Sequence, residues 1–172
     1  MTNHIARPIT PAALKELRAT DDAGFTRSPF TEAEGGSPLR CCLRQSRTGE
    51  LLLLVSYAPL RRWAAETWAR PGAYDEQGPV FIHAEECEGP APDATAAGYP
   101  YARPGALRTV RRYNAEGHIL GGRLLELPEL PEDVDQGFDE AFAEAFADPR
   151  VALVHVRAVE YGCFQFEVRR DF

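Results

Sequence analysis

At 172 residues the chain suits one domain, long enough to bury a core without disulfides or metal staples. Its apolar fraction of 44% and charged fraction of 26% are those of a soluble globular protein. The net charge of -7, with basic residues spread along the chain, leaves no nucleic-acid footprint and argues against an anionic membrane as partner.

Lys15 is the only lysine and Met1 the only methionine, beside ample Ala, Gly and Pro, a bias expected of a GC-rich bacterial genome. "MTNHIARPIT" has neither the basic start nor the apolar stretch of a signal peptide, and no later run approaches the roughly 20 apolar residues of a membrane span. A cytoplasmic address follows as an expectation, with the four cysteines reduced. Cys41 and Cys42 are adjacent and no CxxC pair occurs, so the spacing matches neither a disulfide framework nor a zinc ribbon.

Residues 5–9 read as a short strand, and Thr10 and Pro11 as the cap and first residue of a helix running to about residue 19. "TDDAGFTRSPFTEAEGGSP" is a long polar loop. "LRCCLRQ" and "ELLLLVSYA" flank "SRTG" as a hairpin, and a short helix is expected around Trp63–Trp68, ended by Pro71 and Gly72. "PVFIHAEEC" is strand-like, and residues 88–105 form a second long loop. A hairpin turns at "NAEG". Phe138, Phe142 and Phe146 recur every four residues on a helix that ends before Pro149. Two last strands, "VALVHVRAV" and "GCFQFEVRR", turn at Glu160–Gly162. The order predicts a single α+β domain, 1–172, hairpin-rich, on a mainly antiparallel sheet of about seven or eight strands with two main helices.

Strand alternation sorts the polar residues by face. His83, Glu85 and Cys87 share one face of the 79–87 strand, with Glu86 opposite. In the 151–170 hairpin Phe164, Phe166 and Val168 form one face. His155 is expected near Gln165 and Arg157 near Cys163, to within a residue of register. "LRCCLR" splits into Arg40, Cys42 and Arg44 against Leu39, Cys41 and Leu43.

The blocks "PLRCCLR", "LLLVSYAPL", "GPVFIHAEECEG", "RRYNAEGHILGGRL" and "VHVRAVEYGCFQFEVRR" resemble, in that order, the bacterial family catalogued as domain of unknown function 1203. The resemblance spans about residues 38–170, with the strand and helix of 5–19 packed on it. It implies a small cytoplasmic bacterial domain, and it brings no activity, cofactor or partner.

The residues themselves favour a polar small-molecule or anion site where the 79–87 strand meets the 151–170 hairpin. In an enzyme there, His83 and His155 serve as base or ligand, Glu85 as acid or base, and Arg157 as an anion clamp. Cys163, beside Arg157 and His155, is the candidate nucleophile, and Cys42 between Arg40 and Arg44 is a second activated thiol. No cofactor is assured by the residues; zinc is the sharpest expectation, held by His83, Glu85 and His155 with sulfur from Cys87 or Cys163. Cys87 lies about 13 Å from His83 along an ideal strand, out of reach unless the strand bends or ends. "HAE" matches half of the zinc deaminase signature, but no P-C-x-x-C follows. Arg40, Arg44 and Arg157 are the candidate anion ligands. The alternative is a non-enzymatic binding module with structural histidines and cysteines.

Overall fold

A computed structural model describes residues 4–92 and 98–170. Helix α1 (Pro11–Ala19) begins as expected, with Pro11 in the first turn and the Thr10 hydroxyl accepting from the Ala13 N–H at 3.3 Å. Strands β1 (Phe30–Thr31), β2 (Pro38–Leu39) and β3 (Arg44–Gln45) have two residues each, and β4 (Leu51–Tyr57) is the first long one. Helix α2 (Pro59–Thr67) starts earlier than the expected Trp63 because Pro59 already suits its first position. After β5 (Gly78–His83), β6 (Leu107–Asn114) and β7 (Ile119–Glu126) come α3 (Val134–Ala147), β8 (Val151–Ala158) and β9 (Phe164–Arg169). The middle of the loop read over 88–105 lies outside the described residues.

Among the described residues nine strands form two sheets: a five-stranded one in the order β1-β4-β5-β2-β3 and a four-stranded one in the order β7-β6-β8-β9. All pairs are antiparallel except β2 with β5, where Leu39 lies opposite Phe81. The fold is a single-domain α+β structure with three helices. The expected strand at 5–9 is one bridge, Arg7 to Glu167, along the outer edge of β9.

Three expectations about pairing fail for physical reasons. "LRCCLR" is no strand: residues 40–43 turn back, the Leu43 N–H donating to the Leu39 carbonyl at 2.9 Å with Leu43 at φ 58. The strands around "SRTG" do not pair with each other, because the buried Glu32 carboxylate accepts from the Ser37 and Ser46 hydroxyls at 2.8 and 2.7 Å. Those bonds hold the 45–46 segment against 37–38, at the opposite edge of the sheet from β1. In the last hairpin His155 lies opposite Glu167, two residues from the expected Gln165, while Arg157 lies opposite Phe164, within a residue of the expected Cys163. The ladder shifts between Val156 and Arg157, and Phe164 and Phe166 join different clusters.

The phenylalanine stripe of α3 does what its period predicts. Phe138 and Phe142 are fully buried against Val154, Val156 and Phe166 of the four-stranded sheet. The other face of that sheet is also covered, by Leu60 and Trp63 of α2 against Tyr113 and Leu153. A second core joins α1, through Leu14 and Leu17, to the five-stranded sheet and to Phe164.

Candidate metal centre

The functional residues follow from where β5 ends. It stops at His83, whose partner on β4 is Leu52, and residues 84–85 bend away. Cys87 therefore returns toward His83 instead of running on along a strand. The parallel pairing of Leu39 with Phe81 sets the 40–43 turn beside the same strand end. Adjacent thiols that a strand would send to opposite faces are here within 3.9 Å of each other. The Cys41 sulfur lies 3.3 Å and the Cys42 sulfur 3.9 Å from His83 Nδ1. Cys41, Cys42, His83 and Cys87 place one ligand atom each within 4.8 Å of all the others.

The far side of the imidazole is held by charge. His83 Nε2 lies 3.2 Å from Glu50 Oε1, and Glu50 is itself clamped by both Arg44 Nη atoms. Its hydrogen bond with Arg44 holds the Glu50 carboxyl well below the usual range, at about 2, so it accepts a proton donor at neutral pH. The imidazole meets this carboxylate through Nε2–H, which leaves the Nδ1 lone pair facing the sulfurs.

Backbone donors reach the thiols as well. The His83 N–H donates to the Cys41 sulfur at 3.3 Å. The hydrogen bond between Cys41 and Cys42, reinforced for Cys41 by burial, pushes Cys41 up and draws Cys42 down against its own burial, with the Arg44 N–H and guanidinium further lowering Cys42. Burial raises Cys87, opposed by the Gly89 N–H. Arg18 donates to the His83 carbonyl at 3.1 Å, and with Lys15 it lines a cleft of about 780 Å³ that reaches Cys41 and Cys87.

Three sulfurs and one imidazole suit zinc, iron or copper and not the hard cations, which take oxygen. Zinc bonds of about 2.3 Å to sulfur and about 2.0 Å to nitrogen separate tetrahedral corners by about 3.8 Å and about 3.6 Å. The sulfur–sulfur gap of 3.9 Å and sulfur–nitrogen gaps of 3.3 and 3.9 Å fit those edges.

The other candidates lie elsewhere. Glu85 is exposed and makes no ion pair among the described residues. Arg157 pairs with Glu76 at 3.3 Å, and Cys163 is half-buried with its thiol 3.7 Å from the Tyr161 carbonyl. Arg40 is buried, its Nε donating to the Phe164 carbonyl at 2.8 Å. His155 sits in the other sheet, fully buried between Tyr113 and Phe164, with Nε2 2.9 Å from Glu167 Oε2. It shares no hydrogen-bonding partner with His83 among the described residues. No ligand set joining His83 to Glu85 and His155 is therefore present there, and the sulfurs of Cys41, Cys42 and Cys87 stand in their place. Cys41 and Glu50 escaped the sequence reading, and Cys42 entered it as an activated thiol, not as a metal ligand. Their one visible signal was the paired cysteines, which an assumed strand had assigned to opposite faces.

Burial pushes His155 below its ordinary value, opposed by Glu167, and burial likewise opposes the lowering of Glu167 by His155 and Arg169. Both groups bind protons more weakly folded than unfolded. The contribution of His155 is thus complete above the ordinary histidine value of about 6.5 and drains away as pH falls below it, while that of Glu167 is lost only below the ordinary carboxylate value of about 4.3. Urea unfolding from pH 7.5 to 5.5 is expected to show a slope of up to about 1.4 kcal/mol per pH unit from His155. His155→Gln removes that slope; an identical pH dependence in the variant contradicts the assignment.

The family model for protein of unknown function (DUF1203) matches residues 36–170 of the chain. No curated protein and no solved structure matches it.

Proposed function

The chain belongs to this family, whose description carries no chemistry, and from the site alone we propose that the protein binds one zinc ion through Cys41, Cys42, His83 and Cys87. The observation that carries the reading is the imidazole held between Glu50 and the sulfurs. Its Nε2 is engaged by an ionised carboxylate, and its Nδ1 faces two thiols at tetrahedral-edge distances. A carboxylate behind a histidine fixes the tautomer and raises the basicity of the ligating nitrogen. Four protein donors fill a tetrahedral shell and leave no position for substrate. The centre thus serves as a structural tie in a non-enzymatic module, binding the 40–43 turn and the 84–90 segment to the end of β5. Three thiolates and a neutral imidazole leave the zinc complex with one net negative charge, beside Arg18 and Lys15 as well as Glu86 and Glu88.

Elemental analysis of protein purified without a histidine tag checks this directly. One zinc per chain is expected, lost in Cys41→Ala and in His83→Ala. Metal-free protein whose thiols all react freely with Ellman's reagent under native conditions, or one carrying a Cys41–Cys42 disulfide, would sink the reading.

A further inference from the structure

A second cleft lies between β5 and the β8–β9 hairpin, about 740 Å³ in volume, a usual size for a small-molecule site. Its charge is opposite to that of the whole molecule. The chain carries -7, yet three arginines, Arg40, Arg103 and Arg108, line this cleft against Glu160 as the one carboxylate. Two of them are unusual. Arg40 and Arg108 are each 3% exposed, and among the described residues neither has a carboxylate closer than the 4.0 Å between Arg108 and Glu160.

Both guanidiniums are held by backbone carbonyls instead. Arg40 donates to the carbonyls of Phe164 and Pro38, and Arg108 to those of Leu107 and Tyr101 at 2.7 and 3.0 Å. Carbonyls orient a guanidinium without neutralising it, and a buried charge is ordinarily matched by a counter-charge. Hydrogen bonding is also incomplete: the Arg108 Nε–H is buried with no acceptor among the described residues. Phe81, Tyr101 and the largely exposed Tyr161 supply flat apolar wall.

We propose that this cleft binds a small organic oxyanion, a carboxylate or phosphate carried on a flat apolar body. The anionic head supplies a counter-charge to Arg40 and a closer one to Arg108 than Glu160 at 4.0 Å, and the body lies against the aromatic side chains. Glu160 opposes binding, since it shares the cleft with the anion. The proposal does not depend on the zinc centre, although Arg40 precedes Cys41 in the same turn.

Calorimetric titration of the full chain with phenyl phosphate, benzoate and neutral phenol tests it, with metal content measured on the same samples so that a failure of the zinc centre is recognised separately. Binding of either anion without binding of phenol is expected, and the tighter anion names the head group. Arg108→Gln is expected to weaken that binding at least about tenfold. Glu160→Gln is expected to tighten it, and added salt to weaken it. Equal binding of phenol, no binding of either anion at millimolar concentration, or an unchanged affinity in a folded Arg108→Gln protein overturns the proposal. Should Arg108→Gln not fold, Glu160→Gln and the exposed Arg103→Gln decide, and unchanged affinity in both overturns it.

Discussion

Stripping the proposed zinc ion with a strong chelator is expected to lower the melting temperature of the protein by about 10 °C. A ligand that binds only the folded state, at a free concentration about a thousand times its dissociation constant, adds about 4 kcal/mol. In a chain of this size each kcal/mol moves the midpoint by about 2–4 °C. His83→Ala reproduces the loss and no longer responds to the chelator. Glu50→Gln keeps all four ligands but loses the ionised carboxylate behind the imidazole, so its zinc affinity falls about 10–100-fold. Differential scanning calorimetry with and without chelator reads both effects. A midpoint that does not move on chelation would rule out a tie that matters to the fold.

Phe142→Ala is expected to cost about 3–5 kcal/mol in urea unfolding. The Phe142 ring is fully buried, 5.3 Å from the Tyr99 ring, 5.8 Å from Phe138 and 6.3 Å from Phe166. Removing it leaves a cavity between α3 and the four-stranded sheet, which stiff neighbours fill only in part. Zinc content is expected to stay at one per chain, because the metal ligands belong to the five-stranded sheet and its core. A cost below about 1 kcal/mol would mean that α3 can collapse onto the sheet far more readily than its packing implies.

Local signals in the sequence carried the elements they govern. Thr10 and Pro11 start α1, the phenylalanine period places α3 on its sheet, and "NAEG" turns β6 into β7. Non-local pairing carried the rest. Nothing near Leu39 announces that it will lie parallel to Phe81, and that one contact converts paired cysteines from alternating strand residues into neighbouring ligands. In the same way, His83 and Cys87 were separable only by knowing that β5 stops at His83. The division into two sheets also depends on contacts distant in sequence, so His155 and His83 read as neighbours when they belong to different sheets. The cleft between β5 and the last hairpin was legible in outline. Of the arginines expected there Arg40 lines it, while Arg44 is taken by Glu50 and Arg157 by Glu76.

The way the two sheets end bears on how the molecule stays apart from its own copies. An uncovered strand edge is a template for another chain. The five-stranded sheet finishes on both sides in two-residue strands, β1 and β3, too short to recruit a partner ladder. The four-stranded sheet has β9 covered at one point by the Arg7 bridge, leaving β7 as its long free margin. Gly121 and Gly122 interrupt that margin, and Arg123 and Glu126 charge it. Among the described residues the two ends of the five-stranded sheet are thus too short for strand addition and β7 is charged and interrupted by glycine, while β9 is covered at one point.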